Sequence, residues 1–160
     1  MKDEDKGQKI QLFWQAYLAK LPQYHAHRFN PLPDAWGFGD CPQMADELGE
    51  LVLNGIKTAT CTHYGGENIL GDAGLSIILD SSENPLCIIE TYEITVRRYC
   101  DIDEEFAAAE GEDNFSLAYW QKAHWEFFSR EADKTGIEVT QDMLLICERF
   151  RVIYPHNFIT

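Results

Sequence analysis

The segment at residues 75–99, LSIILDSSENPLCIIETYEITVRRY, constrains the fold more than any other. Two runs rich in β-branched residues flank SSENP, which has the composition of a tight turn, so they read as the two strands of a hairpin. Strands joined this way are antiparallel neighbours and need no crossover helix between them. A doubly wound parallel sheet is therefore disfavoured.

Helices are expected on the flank of this sheet. In IQLFWQAYLAKLP, Leu12, Phe13, Ala16, Tyr17 and Leu18 lie on or near one helical face, and Pro22 stops the run. In CPQMADELGELVLNG, Met44, Leu48, Leu51 and Val52 recur at helical spacing, and Gly55 reads as the stop. KTATCTHY then reads as a strand, and 101–136 as a helix in two pieces, broken near Gly111 and ending at Gly136. DMLLICERFRVIYP closes the chain as a long strand, while residues 23–40 form a loop punctuated by proline and glycine. The expected class is α+β, a mixed or antiparallel β-barrel with flanking α-helices. Residues 1–35 are expected as an N-terminal helix and loop packing on a domain at 36–156.

Charge narrows the function. The 160 residues carry 27 Asp plus Glu against 13 Lys plus Arg, a formal charge of −14. That balance repels anionic polymers at long range and argues against a broad nucleic-acid binder, though screening leaves room for one locally basic groove. The five cysteines are scattered, odd in number and contain no C-x-x-C pair, which suits a reducing cytoplasm and predicts neither a metal site nor a disulfide framework. His25 and His27 lack the companion ligands of a metal centre. The amino terminus, MKDEDKGQK, has no apolar stretch, and no run is long enough to span a bilayer, so a cytoplasmic protein without a membrane partner is expected. No P-loop, dinucleotide glycine fingerprint, G-x-S-x-G or H-E-x-x-H occurs, so no dinucleotide cofactor is expected.

The run NGIKTATCT places Lys57 where a helix hands over to a strand. Together GFGDCPQMADELGELVLNGIKTAT, GDAGLSIILD, CIIETYEI, EEFAAAEGEDNFSLAYWQKAHWEFFSRE and CERFRVIY resemble the ASCH domain family, in its longer bacterial subgroup, over about residues 36–154. The family's G-x-K-x-x-T pattern is matched by Gly55, Lys57 and Thr60. Thr62 stands where many members carry an arginine, so one anion-binding group is missing. The resemblance implies a PUA-like barrel, a cleft near Lys57, and dealings with RNA or modified nucleosides.

Lys57 and Thr60 are candidate catalytic residues on that resemblance: a positioned cation beside a hydroxyl can build a nucleophile or an oxyanion clamp. Residues three apart in an ideal strand face opposite ways, so the two converge only where the backbone is irregular. For the later family glutamate the best local match is Glu112, with Glu110 close behind. Tyr64, Glu90, Arg149 and Lys57 itself are candidate substrate-binding residues, and Arg97, Arg98, Arg130 and Arg151 are dispersed cations that could join them. The aromatic stripe Leu117, Trp120, His124 and Phe128 reads as core, and His124 is assigned no chemistry.

Two activities follow as expectations. The first is binding of single-stranded RNA, with ribonuclease activity and magnesium if phosphodiesters are cut. The alternative is an amidohydrolase that deacylates a cytidine-like nucleoside, with no cofactor required. A non-catalytic RNA-associated adaptor is a third reading.

Overall fold

The computed structural model describes residues 2–66, 74–112 and 115–155. Among them four α-helices and five strands follow in the order α1 (Lys2–Leu18), β1 (Asp34–Trp36), α2 (Pro42–Leu53), β2 (Ala59–His63), β3 (Gly74–Leu79), β4 (Pro85–Arg98), α3 (Glu104–Glu110), α4 (Leu117–Thr135) and β5 (Leu144–Tyr154). The strands form one sheet in the order β1-β3-β4-β5-β2. Pairing is parallel for β1 with β3 and antiparallel for β2 with β5. The class is α+β with a mixed sheet, as the hairpin demanded. No helix of the described residues is long and apolar enough to cross a membrane.

The chain divides into two compact units, one of residues 1–53, 75–90 and 151–160, the other of residues 54–74 and 91–150. In the first, Ile10, Trp14 and Tyr17 repeat at helical spacing along α1 and pack with Ile77, Leu79 and Ile88. The hairpin turn is held by Asp80, whose carboxylate accepts from the backbone N–H groups of Ser82 and Asn84. The short strand β1 lies inside the stretch expected to be loop. Three residues between prolines and glycines leave no readable alternation.

The second unit is built on β2 and β5, with Cys61 opposite Cys147. Ala59, Cys61, Leu145 and Cys147 turn one face of this pair towards Phe106, Ala107, Trp120 and Phe128 of the two helices. Both helices carry explicit stops. Asp103 accepts from the N–H of Phe106 to start α3, and Gly111 ends it at φ 69°. Ser116 accepts from the N–H of Tyr119 to start α4, and Gly136 ends it at φ 75°. These match the breaks read at Gly111 and Gly136. Asn114, which like Ser116 is of a residue type that caps helices, lies outside the described residues.

Candidate active site

The site lies entirely within the second unit. It begins with an irregular segment between α2 and β2, where Gly55 has φ 74° and the ladder starts only at Ala59. The C-terminal end of α3 grips this segment. The Thr58 N–H donates to the Ala109 carbonyl at 2.7 Å, and the Thr58 hydroxyl donates to the same oxygen at 3.2 Å. One of the carbonyls left over at a helix end is thus satisfied. Gly111 closes the contact: a Cβ there would sit 2.5 Å from the Ile56 carbonyl oxygen. Glycine is needed both for its left-handed backbone and for this close approach.

The grip fixes Lys57, which is 2% exposed. Its Nζ donates to the Glu110 backbone carbonyl and to Glu110 Oε1, both at 3.3 Å. A cation at the last carbonyl of a helix is favourably placed in the field of the peptide dipoles. Glu110, 1% exposed, draws in the other helix. Its Oε2 accepts from the indole N–H of Trp120, lies 2.6 Å from His124 Nε2, and is 3.9 Å from the Cys61 thiol. Glu112 sits at the edge of the cluster, half-buried, with Oε1 3.9 Å from Lys57 Nζ and Oε2 3.9 Å from His124 Nε2.

Proton positions follow from the partners. His124 Nδ1 is 2.9 Å from the Trp120 carbonyl, which can only accept, so Nδ1 carries a proton. Nε2 faces a carboxylate oxygen and carries the second. His124 is therefore an imidazolium: burial alone would lower its pKa, but Glu110, and behind it Glu112, raise it above the usual value. Burial likewise works to raise Glu110, and Lys57 and His124 outweigh it, bringing the carboxyl down to about 2. Two cations and two carboxylates then balance. The indole of Trp120 stacks on the imidazolium with ring centres 4.3 Å apart at 17°, which suits a cation over an aromatic face.

Cys61, Glu110 and His124 also form a group whose ligand atoms all lie within 4.8 Å of one another. They are chemically able to hold a divalent ion such as zinc. Lys57 already supplies positive charge to that carboxylate, and burial, with Glu110 next, keeps the Cys61 thiol protonated well beyond its usual pKa. A metal would have to displace these protons.

Of the residues predicted from sequence, Lys57 and Glu112 come together, with Glu110 nearer the centre than Glu112. Thr60 is not brought in. The buried residues are Lys57, Ala59 and Cys61, and Thr60 between them points to the other face of β2. Tyr64 follows β2 and donates its backbone N–H to the Leu144 carbonyl. Arg149 is paired with Glu93 and Glu105 and lies over the Phe106 ring. Glu90 belongs to the first unit, beside His27 and Arg151. Sequence reasoning missed Cys61 and the chemistry of His124 and Trp120. The signal for Cys61 was available in its parity with Lys57, whereas nothing local to α4 announces a carboxylate facing His124.

A sequence profile of the ASCH domain matches residues 34–154. No significant match occurs among curated proteins. Among solved structures, the chain is similar to an ASCH domain from Lactobacillus crispatus, with 34% identity, a TM-score of 0.82, and coverage of 92% of this chain and 95% of that one. It is also similar to a protein from Enterococcus faecalis, with 35% identity, a TM-score of 0.77, and coverage of 96% and 99%. With its α+β fold and a match across both units, the chain belongs to the ASCH domain family.

Proposed function

We propose that the second unit is a hydrolytic centre for a small, uncharged acylamino compound of the modified-nucleoside kind, rather than a grip for an RNA backbone. The observation that carries this reading is the charge balance of the buried cluster: Lys57 and His124 stand against Glu110 and Glu112 within 3.9 Å. A site with no net charge has no special attraction for a polyanion. Three of the five arginines expected to reach phosphate are held by carboxylates, Arg98 with Asp101 and Asp142, Arg149 with Glu93 and Glu105, and Arg151 with Glu90, while Arg97 and Arg130 lie over the Phe106 and Phe127 rings. Freeing them for phosphate would break those pairs first.

In this reading Glu112, the more accessible carboxylate, takes a proton from water as its oxygen adds to the acyl carbon. The ammonium of Lys57 stabilises the developing oxyanion, which a desolvated cation does more strongly than one in water. Collapse of the tetrahedral intermediate breaks the carbon–nitrogen bond, and the proton held by Glu112 passes to the leaving amine. Glu110 is a positioning residue that aims Lys57, and His124 in turn holds the Glu110 carboxylate in place. Thr60 has no part as nucleophile.

The test is mass spectrometry of products after incubating the protein with N4-acylated cytidine and, separately, with single-stranded RNA. Release of the free carboxylic acid is expected, lost in Lys57→Met and in Glu112→Gln, and insensitive to added salt. Intact acylcytidine alongside fragmented RNA would overturn the proposal, as would undiminished turnover in Glu112→Gln. A fall in RNA affinity with rising salt is the signature of phosphate contacts, and it is not expected.

A further inference from the structure

We infer that Cys61 and Cys147 form a cross-strand dithiol that an oxidant of the peroxide class converts reversibly to a disulfide, giving the second unit a redox-modification site. The inference stands on register and is independent of the substrate. Cys61 on β2 is directly opposite Cys147 on β5. Antiparallel ladders alternate between pairs that exchange backbone hydrogen bonds and pairs that do not. The Phe150 N–H donates to the Thr58 carbonyl, and the Tyr64 N–H donates to the Leu144 carbonyl. Counting inward from either end by twos, 58–150, 60–148, 62–146 and 64–144 are the hydrogen-bonded pairs. Cys61–Cys147 falls between them as a non-hydrogen-bonded pair.

That class has its Cα atoms about 4.5 Å apart with the side chains drawn together. A disulfide accepts Cα separations of roughly 4.4–6.8 Å, so the bridge closes without backbone movement but at the tight end of the range. Both side chains are on the buried face of the pair, in the same apolar cluster. Of the other three cysteines, Cys41 and Cys100 are exposed, and Cys87 is buried in the first unit.

The chemistry balances with hydrogen peroxide as the oxidant. The Cys61 thiolate attacks one peroxide oxygen, the O–O bond breaks, and the departing hydroxide takes up a proton as water. The Cys147 thiol then attacks the sulfenic sulfur: the S–S bond forms, the S–O bond breaks, and a second water leaves. Two thiols and one peroxide give one disulfide and two waters, the two sulfurs having lost two electrons. Burial raises both thiols, Cys147 to about 12, so few thiolates are present and the reaction is slow beside that of the exposed thiols. Its consequence for the site is direct, because the Cys61 S–H that now faces Glu110 Oε2 is removed.

The experiment treats the native chain and a Cys41→Ser/Cys100→Ser variant with hydrogen peroxide. Remaining thiols are blocked with an alkylating reagent in denaturant, and the digest is read by mass spectrometry with and without reductant. A Cys61 peptide joined to a Cys147 peptide, two mass units below their sum and released by dithiothreitol, is expected in both proteins. In Cys147→Ser, Cys61 is expected to be trapped by dimedone as a sulfenic acid. Full alkylation of both thiols long after Cys41 and Cys100 are consumed would overturn the inference. So would sulfinic acid at Cys61 with Cys147 still reduced.

Discussion

Replacing Glu110 by glutamine removes one charge from a balanced set while keeping its shape. Glu110 in the folded chain has its carboxyl at about 2 against an ordinary 4.5, the attraction of Lys57 and His124 having overcome the opposing effect of burial. At about 1.36 kcal/mol per pKa unit that gap is worth roughly 3 kcal/mol of stability at neutral pH. It agrees with the about 3–5 kcal/mol that removal of one partner from a buried ion pair costs. The folded value is below the unfolded one, so this stability is fully present above 4.5 and is lost as the pH falls towards about 2. His124 moves the other way. Its folded value is raised above 6.5, so its share is present below 6.5 and is lost as the pH rises through the raised value. The two shifts are one attraction seen from its two ends, and they do not add.

Urea unfolding of the native chain and Glu110→Gln at pH 7, and in steps down to about pH 2, measures this directly. The variant is expected to be roughly 3 kcal/mol less stable at neutral pH, and the two curves should converge in acid. A difference below about 1 kcal/mol at pH 7, or one that stays constant into acid, would refute the ionised, paired carboxylate.

Gly111→Ala should destabilise by more than the roughly 1–2 kcal/mol of a left-handed alanine, since its Cβ would also meet the Ile56 carbonyl at 2.5 Å; thermal unfolding reads the loss. Thr60→Ala, on the far face of β2, should leave acyl release within about twofold of the native rate, and a drop on the order of a hundredfold or more would restore it as the nucleophile. An NMR titration of His124 should place its midpoint above 6.5 in the native chain and bring it down in Glu110→Gln, where burial is opposed only by the more distant Glu112. An unchanged midpoint in the variant would mean that Glu110 is not its partner.

Much of this was legible because local signals and tertiary demands agree. The strands at 75–80 and 86–99, the stop at Gly55 and the break at Gly111 were each declared by a short stretch of sequence. Lys57 was legible through the G-x-K-x-x-T pattern, but its partners were not. Glu110 is 53 residues away, and only the docking of α3 on residues 56–58 brings it within reach. Choosing Glu112 over Glu110 was a matter of two residues around Gly111, and the left-handed turn there sends one carboxylate inward and leaves the other at the edge. The direction in which Thr60 faces was not legible because a motif records sequence spacing, whereas the alternation of β2 decides which face a side chain takes. His124 looked like one more member of an apolar stripe, as a residue four after Trp120 must when its carboxylate is on another helix.

The way the chain visits its two units has a consequence for inheritance. It passes from one to the other at residues 53–54, 74–75, 90–91 and 150–151, and β4 and β5 each contribute residues to both. No single cut in the gene can therefore separate the unit holding Lys57 from the unit holding α1. Recombination that shuffles contiguous segments would split strands rather than exchange modules.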